Sequence, residues 1–179
     1  TENKYRNALY YTQKAINFSK TTHKTEAQAN QTFILGKLYY DVKKYDEAIS
    51  SFNKSISLSN ILQSSPEQAY SFYYMGMCYI QKKDYPNAQI SFDKAQALYD
   101  ILKINNTADL LNLQRGIIYK STGKLDLAAA IFSTLVAKPN SPAILDTKAE
   151  ALYQIGTIEM TNNRNNLALN YFNKALDLN

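Results

Sequence analysis

Phe33-Ile34-Leu35-Gly36, with Asp46-Glu47-Ala48-Ile49-Ser50-Ser51-Phe52 behind it, returns in phase every 40 residues. Gly36, Gly76, Gly116 and Gly156 account for four of the five glycines. Ala8, Ala48, Ala88, Ala128 and Ala168 form a second column, and Phe52, Phe92, Phe132 and Phe172 a third. Tyr39, Tyr79 and Tyr119 give way to Glu159. A fixed period of this size marks a stacked repeat architecture. Within one repeat the marked residues are symmetric about Val42, so a reversal at Val42-Lys43-Lys44 sets them face to face in an antiparallel helix hairpin. Gly36 then opposes Ala48, Thr32 opposes Phe52, and Tyr39 and Tyr45 close the turn end. A glycine inside a helix costs ~1 kcal/mol against alanine, so four in phase require a packing reason.

The hairpins resemble tetratricopeptide repeats. The residues that carry the resemblance are Leu35, Gly36, Tyr39, Ala48, Phe52 and Ser55, then Met75, Gly76, Tyr79, Ala88, Phe92 and Ala95. Gly116, Tyr119, Ala128, Phe132 and Leu135 follow, then Ile155, Gly156, Ala168, Phe172 and Ala175. The added length per repeat is similar to that of kinesin light chains, Rap-type peptide-sensing regulators and the sensor regions of some bacterial signalling proteins. The early aromatic of the motif is Phe72 in one copy but Thr32, Asn112 and Leu152 in the others, and Arg115 replaces an apolar residue. The resemblance implies an all-α, right-handed superhelical solenoid of about nine helices in a single domain over 1–179. A partial repeat (1–20) precedes repeats at about 25–64, 65–104, 105–140 and 141–179, and the chain is expected to be a fragment of a longer protein.

Local signals place the elements. Helices are expected at about 4–19, 25–41, 45–62, 66–81, 85–102, 108–121, 125–137, 141–160 and 164–178. Ser65, Pro66 and Gln68 form a capping-box start, Asp84 caps the next helix, and Ser141-Pro142 repeats the cap-plus-proline pattern. Asn105-Asn106-Thr107 makes a break, and Gly123 suits the tight turn after Ser121-Thr122.

Composition narrows the chemistry. The formal charge is +5, concentrated in residues 1–24, which carry Lys4, Arg6, Lys14, Lys20 and Lys24 against Glu2 alone. Without dense Arg/Lys runs this reads as a solvated face, and no nucleic-acid partner is expected. No apolar run is long enough to cross a membrane, so direct membrane insertion is not expected. A cytoplasmic location is expected, with an extracytoplasmic sensor region as the alternative. One histidine (His23) and one cysteine (Cys78) exclude most nucleophile–base pairs and metal sites, so no catalysis, metal or cofactor is expected. Cys78 shares its column with Leu38, Ile118 and Ile158 and reads as core.

The resemblance also implies a groove lined by the first helix of each repeat. The positions it marks for protein or peptide contact are Asn30, Phe33, Lys37 and Tyr40, then Tyr70, Tyr73, Tyr74 and Met77. Leu113, Gln114 and Ile117 follow, then Tyr153, Thr157 and Met160. Aromatic and methionine side chains give large contact area at low entropic cost. A clamp for a terminal carboxylate, another mode of the family, would have only Asn30, Lys37 and Lys120. An extended peptide or an amphipathic helix fits better. Two other readings stay open: a sensory region of a larger signalling protein, and a scaffold that self-associates through exposed end repeats. A buried Arg115 must be paired, with Asp109 or Glu150 as the candidate partners; otherwise the helix rotates slightly and Arg115 escapes to its edge, or Asn112 and Arg115 form a polar specificity point.

Overall fold

The computed structural model describes residues 2–60, 66–104 and 107–178. Among these lie nine helices: α1 (Glu2–Thr21), α2 (Thr25–Asp41), α3 (Tyr45–Asn60), α4 (Pro66–Gln81), α5 (Tyr85–Leu102), α6 (Ala108–Ser121), α7 (Leu125–Ala137), α8 (Leu145–Thr161) and α9 (Asn165–Leu176). The Ser64–Ser65 helix start, the helix end at Ile61–Leu62 and the Asn105–Asn106 break lie outside the described residues. The chain divides into two compact units, Thr1–Ile104 and Asn105–Asn179. In the first, α1 to α5 pack each against the next, and α2 also lies beside α4. In the second, α6 to α9 do the same, and α6 lies beside α8.

The hairpin register follows the symmetry about Val42. Ser55 Oγ donates to the Ala29 carbonyl across α2 and α3 at 2.9 Å, and both residues are equally far from Val42. Ala48, Ala88 and Ala128 are fully buried. The glycine column, however, does a different job from the expected one. A Cβ on Gly36 would lie 2.5 Å from Phe52, and one on Gly76, Gly116 or Gly156 would meet Phe92, Phe132 or Phe172 as closely. The phenylalanine therefore covers the glycine rather than the space opposite Thr32. The reason is that side chains lean toward the N-terminus of their own helix. In α3 that direction is the turn, which brings the Phe52 ring back by one helical turn onto Gly36. Phe52, Phe92 and Phe132 are thereby sealed from solvent, each burial contributing about 1.5–3 kcal/mol. The tyrosine contact at the turn end also shifts, since the Tyr45 ring meets Tyr40 at 5.9 Å.

The turns share one geometry. Lys43 has φ 61°, Lys83 60°, Gly123 79° and Asn163 60°. Around Lys43, its N–H reaches the Tyr40 carbonyl and the Lys44 N–H reaches Tyr39, both at 2.9 Å. The same pair of bonds recurs around Lys83, Gly123 and Asn163. It satisfies carbonyls that the helix end leaves open. Only Gly123 adopts the left-handed conformation without steric cost. Lys83→Gly should therefore stabilise the chain by about 0.5–1 kcal/mol. This is the relief of left-handed strain less the entropy that glycine adds to the unfolded chain. Urea unfolding would register it as a raised midpoint with an unchanged slope, and a lowered midpoint would contradict the strain argument.

Asp84 caps α5 as expected, its Oδ1 accepting from the Asn87 N–H at 3.3 Å. The start of α8 is displaced. Ser141-Pro142 opens a hydrogen-bonded turn, with the Ile144 N–H on the Ser141 carbonyl at 3.0 Å, and the α-helix begins only at Leu145. A serine followed by proline initiates either structure. Here the chain winds instead around Lys148, which is buried. Its ammonium donates to the Lys138 carbonyl at 2.7 Å and to Asn140 Oδ1 at 2.6 Å. This ties the loop down beside the C-terminal end of α7, where a positive charge is favourable.

Candidate functional site

The first-helix residues fall into two groups with different fates. In the first unit most of them hold α2 and α4 together. The Tyr74 ring lies 5.7 Å from Phe33, 5.9 Å from Tyr40 and 5.7 Å from Phe52, against which it stacks. Lys37 Nζ sits 5.4 Å from the Tyr74 ring centroid and 5.9 Å from that of Phe33, a cation–π arrangement. Asn30 Nδ2 donates to Glu67 Oε1 of α4 at 3.3 Å. Burial pushes the Tyr40 hydroxyl up to about 12, so it stays neutral. Tyr73 packs on Tyr74 and Phe92, and Met77 is half-buried. Tyr70 packs edge-on against the buried Tyr99 and keeps 36 % of its surface in solvent.

In the second unit Leu113 belongs to the buried core, Ile117 packs against it, and Gln114 is buried, which leaves these three little surface to offer a ligand. Lys120 reaches from α6 to α8, where it donates to Gln154 Oε1 and to Thr157 Oγ1, the latter at 2.9 Å. Burial lowers its pKa despite the counteracting Glu150 carboxylate. Asn30 and Lys120, two of the three polar groups a carboxylate clamp would use, are thus engaged between neighbouring first helices. Arg115 is half-buried, and its Nη1 lies 3.5 Å from Asn112 Oδ1 one turn earlier. Asp109 pairs with Lys138 at 2.5 Å, and Glu150 accepts from Gln154 Nε2 at 2.6 Å.

Tyr153, Thr157 and Met160 remain, and the structure brings them together. They line a cleft of about 910 Å³ between α8 and α9. Tyr153 is 50 % exposed and Met160 53 %. Phe172, Ala175 and Leu176 form the opposite wall, and Asp146 and Glu150 stand at one end. The α9 wall and the two carboxylates escape a reading confined to first helices. The repeat columns contain the signal for part of it, because Phe172 occupies the Phe52 column.

Nothing in the cleft resembles a catalytic constellation. Cys78 is sealed in the first unit, where burial pushes its thiol up to about 12, so no thiolate is available there. Among the described residues no three His, Cys, Asp or Glu side chains gather into a metal-holding group, and no helix is long and apolar enough to cross a membrane.

Known proteins share the fold. Family models described as tetratricopeptide repeat match residues 33–61 and 149–179, and residues 70–100. No curated protein matches the sequence. Among solved structures, BtubC (BKLC) from P. vanneervenii superposes with a TM-score of 0.77 at 16% identity, over 99% of this chain and 74% of its own. The apo form of the quorum sensor NprR from B. thuringiensis gives 0.76 at 12% identity, over 98% of this chain and 54% of its own. A putative kinesin light chain from Podosopora anserina with nearly identical repeats gives 0.70 at 11% identity, over 99% and 87%. At such identities the likeness establishes an all-α repeat fold.

Proposed function

Because the chain belongs to the tetratricopeptide-repeat family, we propose that it is a non-catalytic module that binds a protein or peptide against the first helices of its repeats. The observation that carries this reading is the α8–α9 cleft. It offers two large side chains, Tyr153 and Met160, that are half in solvent, over a floor provided by Phe172 and Ala175. Tyr153 packs on Phe172 with ring centroids 5.5 Å apart and still keeps half of its surface in solvent. An apolar cleft with a few polar groups at one end is the usual form of a preorganised recognition surface. Its walls are helical, so little ordering is required when a ligand enters.

The test is affinity capture from native extract with the wild-type chain and with the Tyr153→Ala, Met160→Ala double variant. Circular dichroism should show unchanged helicity, since both side chains are half exposed. A partner retained by the wild type and lost by the variant supports the reading. Identical capture by both would place binding elsewhere on the chain or remove it altogether.

A further inference from the structure

A groove of about 510 Å³ lies between α1, α2 and α3, wholly inside the first unit. Ile16, Thr32 and Leu35 form its floor, and the exposed Glu47 and Lys54 stand along one wall. The next repeat shows what fills such a groove. Ile56, Phe72 and Met75 hold the three floor columns there, and Lys94 holds the Lys54 column. Phe72 packs on the buried cluster that contains Ile56 and Met75, and Lys94 Nζ lies 5.3 Å from its ring centroid. A ring beneath an ammonium, a cation–π arrangement, therefore occupies the space between α3 and α5. In the first groove the ring is missing. Thr32 stands in the Phe72 column, and among the described residues Lys54 has neither a ring nor a carboxylate as partner.

The polar groups specify the rest of the occupant. Thr32 Oγ1 already donates to the Gln28 carbonyl at 2.7 Å, and Ser51 Oγ to the Glu47 carbonyl at 2.9 Å. The floor thus requires no polar partner and suits a ring. The open valences are at the rim, where the side chains of Gln13, Asn17, Glu47 and Lys54 make no hydrogen bond or ion pair with the described residues. Glu47 and Lys54 are seven residues apart on α3, so they share one face and stand about 10 Å apart along it. The complement of Glu47 is a cation held that far from the ring. One repeat later, where the chain supplies its own ring, this carboxylate is replaced by the neutral Asn87.

We propose that the α1–α2–α3 groove binds a small aromatic amine, with its ring over Thr32 beneath the Lys54 ammonium and its own ammonium at Glu47. A groove of this volume takes a single ring on a short chain. The site lies apart from the α8–α9 cleft, and neither reading rests on the other.

The probe is 4-phenylbutylamine, titrated into the nitrogen-15-labelled chain and followed by amide NMR shifts, which should move in α1, α2 and α3. Butylamine, without the ring, should not bind measurably. 4-Phenylbutan-1-ol, without the charge, should bind about three- to fivefold more weakly, the range for one exposed ion pair. Glu47→Gln should erase the difference between amine and alcohol. Lys54→Gln should weaken the alcohol about two- to fivefold, as loss of an exposed cation–π contact does. Thr32→Phe should close the groove and abolish binding with helicity unchanged, because the chain already folds around phenylalanine in that column. The proposal is overturned by shifts confined to α8 and α9, by an amine preference indifferent to residue 47, or by a folded Thr32→Phe variant that binds like the wild type. Should Thr32→Phe fail to fold, the comparison of amine and alcohol on Glu47→Gln still decides. The capture experiment above reads the Tyr153 and Met160 side chains, so its outcome is separate from this one.

Discussion

Phe92→Ala should destabilise the chain by about 3–5 kcal/mol, the range for emptying a fully buried aromatic site. The ring is sealed from solvent and lies directly over Gly76. The informative measurement is the double-mutant cycle with Gly76→Ala. Alone, the added methyl would stand 2.5 Å from the Phe92 ring, and overpacking of this kind costs about 1–3 kcal/mol. The helix propensity gained from alanine, about 1 kcal/mol, offsets only part of it. With the ring removed, the methyl enters the cavity, and Gly76→Ala should change sign and become stabilising. Urea unfolding of the four proteins gives the coupling energy. Additive effects would mean that the glycine column answers to something other than the phenylalanine column.

That pair also shows what a sequence of this kind reveals. The columns Gly36–Phe52 and their copies repeat because each turn of the array solves the same packing problem, so they declare the hairpin and its centre at Val42. They do not declare which residue meets which. Pairing by distance from the turn put Phe52 opposite Thr32, and the tilt of the side chain moved it one helical turn. The left-handed conformation at the turns was legible only where glycine stands. Lys43, Lys83 and Asn163 take the same positive φ as Gly123, and lysine announces nothing about a left-handed position. Ser141-Pro142 misled because one signature serves both a helix start and a turn. The cleft was half legible: Tyr153, Thr157 and Met160 follow from the first-helix register. Leu113 and Gln114, in the same register, are buried, because the face a helix turns inward depends on the whole of its apolar stripe.

That last point makes α6 a sharp test. Leu111→Ala should cost about 2–5 kcal/mol, whereas Asn112→Leu should change stability by less than about 0.5 kcal/mol. The repeat columns alone give the opposite ranking. Asn112 stands in the column of Thr32, Phe72 and Leu152, which the motif reserves for a bulky side chain, and Leu111 stands with Gln31, Ser71 and Ala151. The structure seals Leu111 completely and leaves Asn112 half exposed. Arg115, in the column of Leu35, Met75 and Ile155, is half exposed beside it. A helix that carries Asn112 and Arg115 three residues apart on one stripe must turn that stripe outward, because burying both would leave costly polar groups inside. Leu111 is sealed as Ser71 and Ala151 are in its column, and it is the largest side chain there. Urea midpoints of the two variants decide the matter. A stabilising Asn112→Leu together with a mild Leu111→Ala would mean that Asn112 and Arg115 occupy their polar positions for a ligand rather than for the packing of the helix.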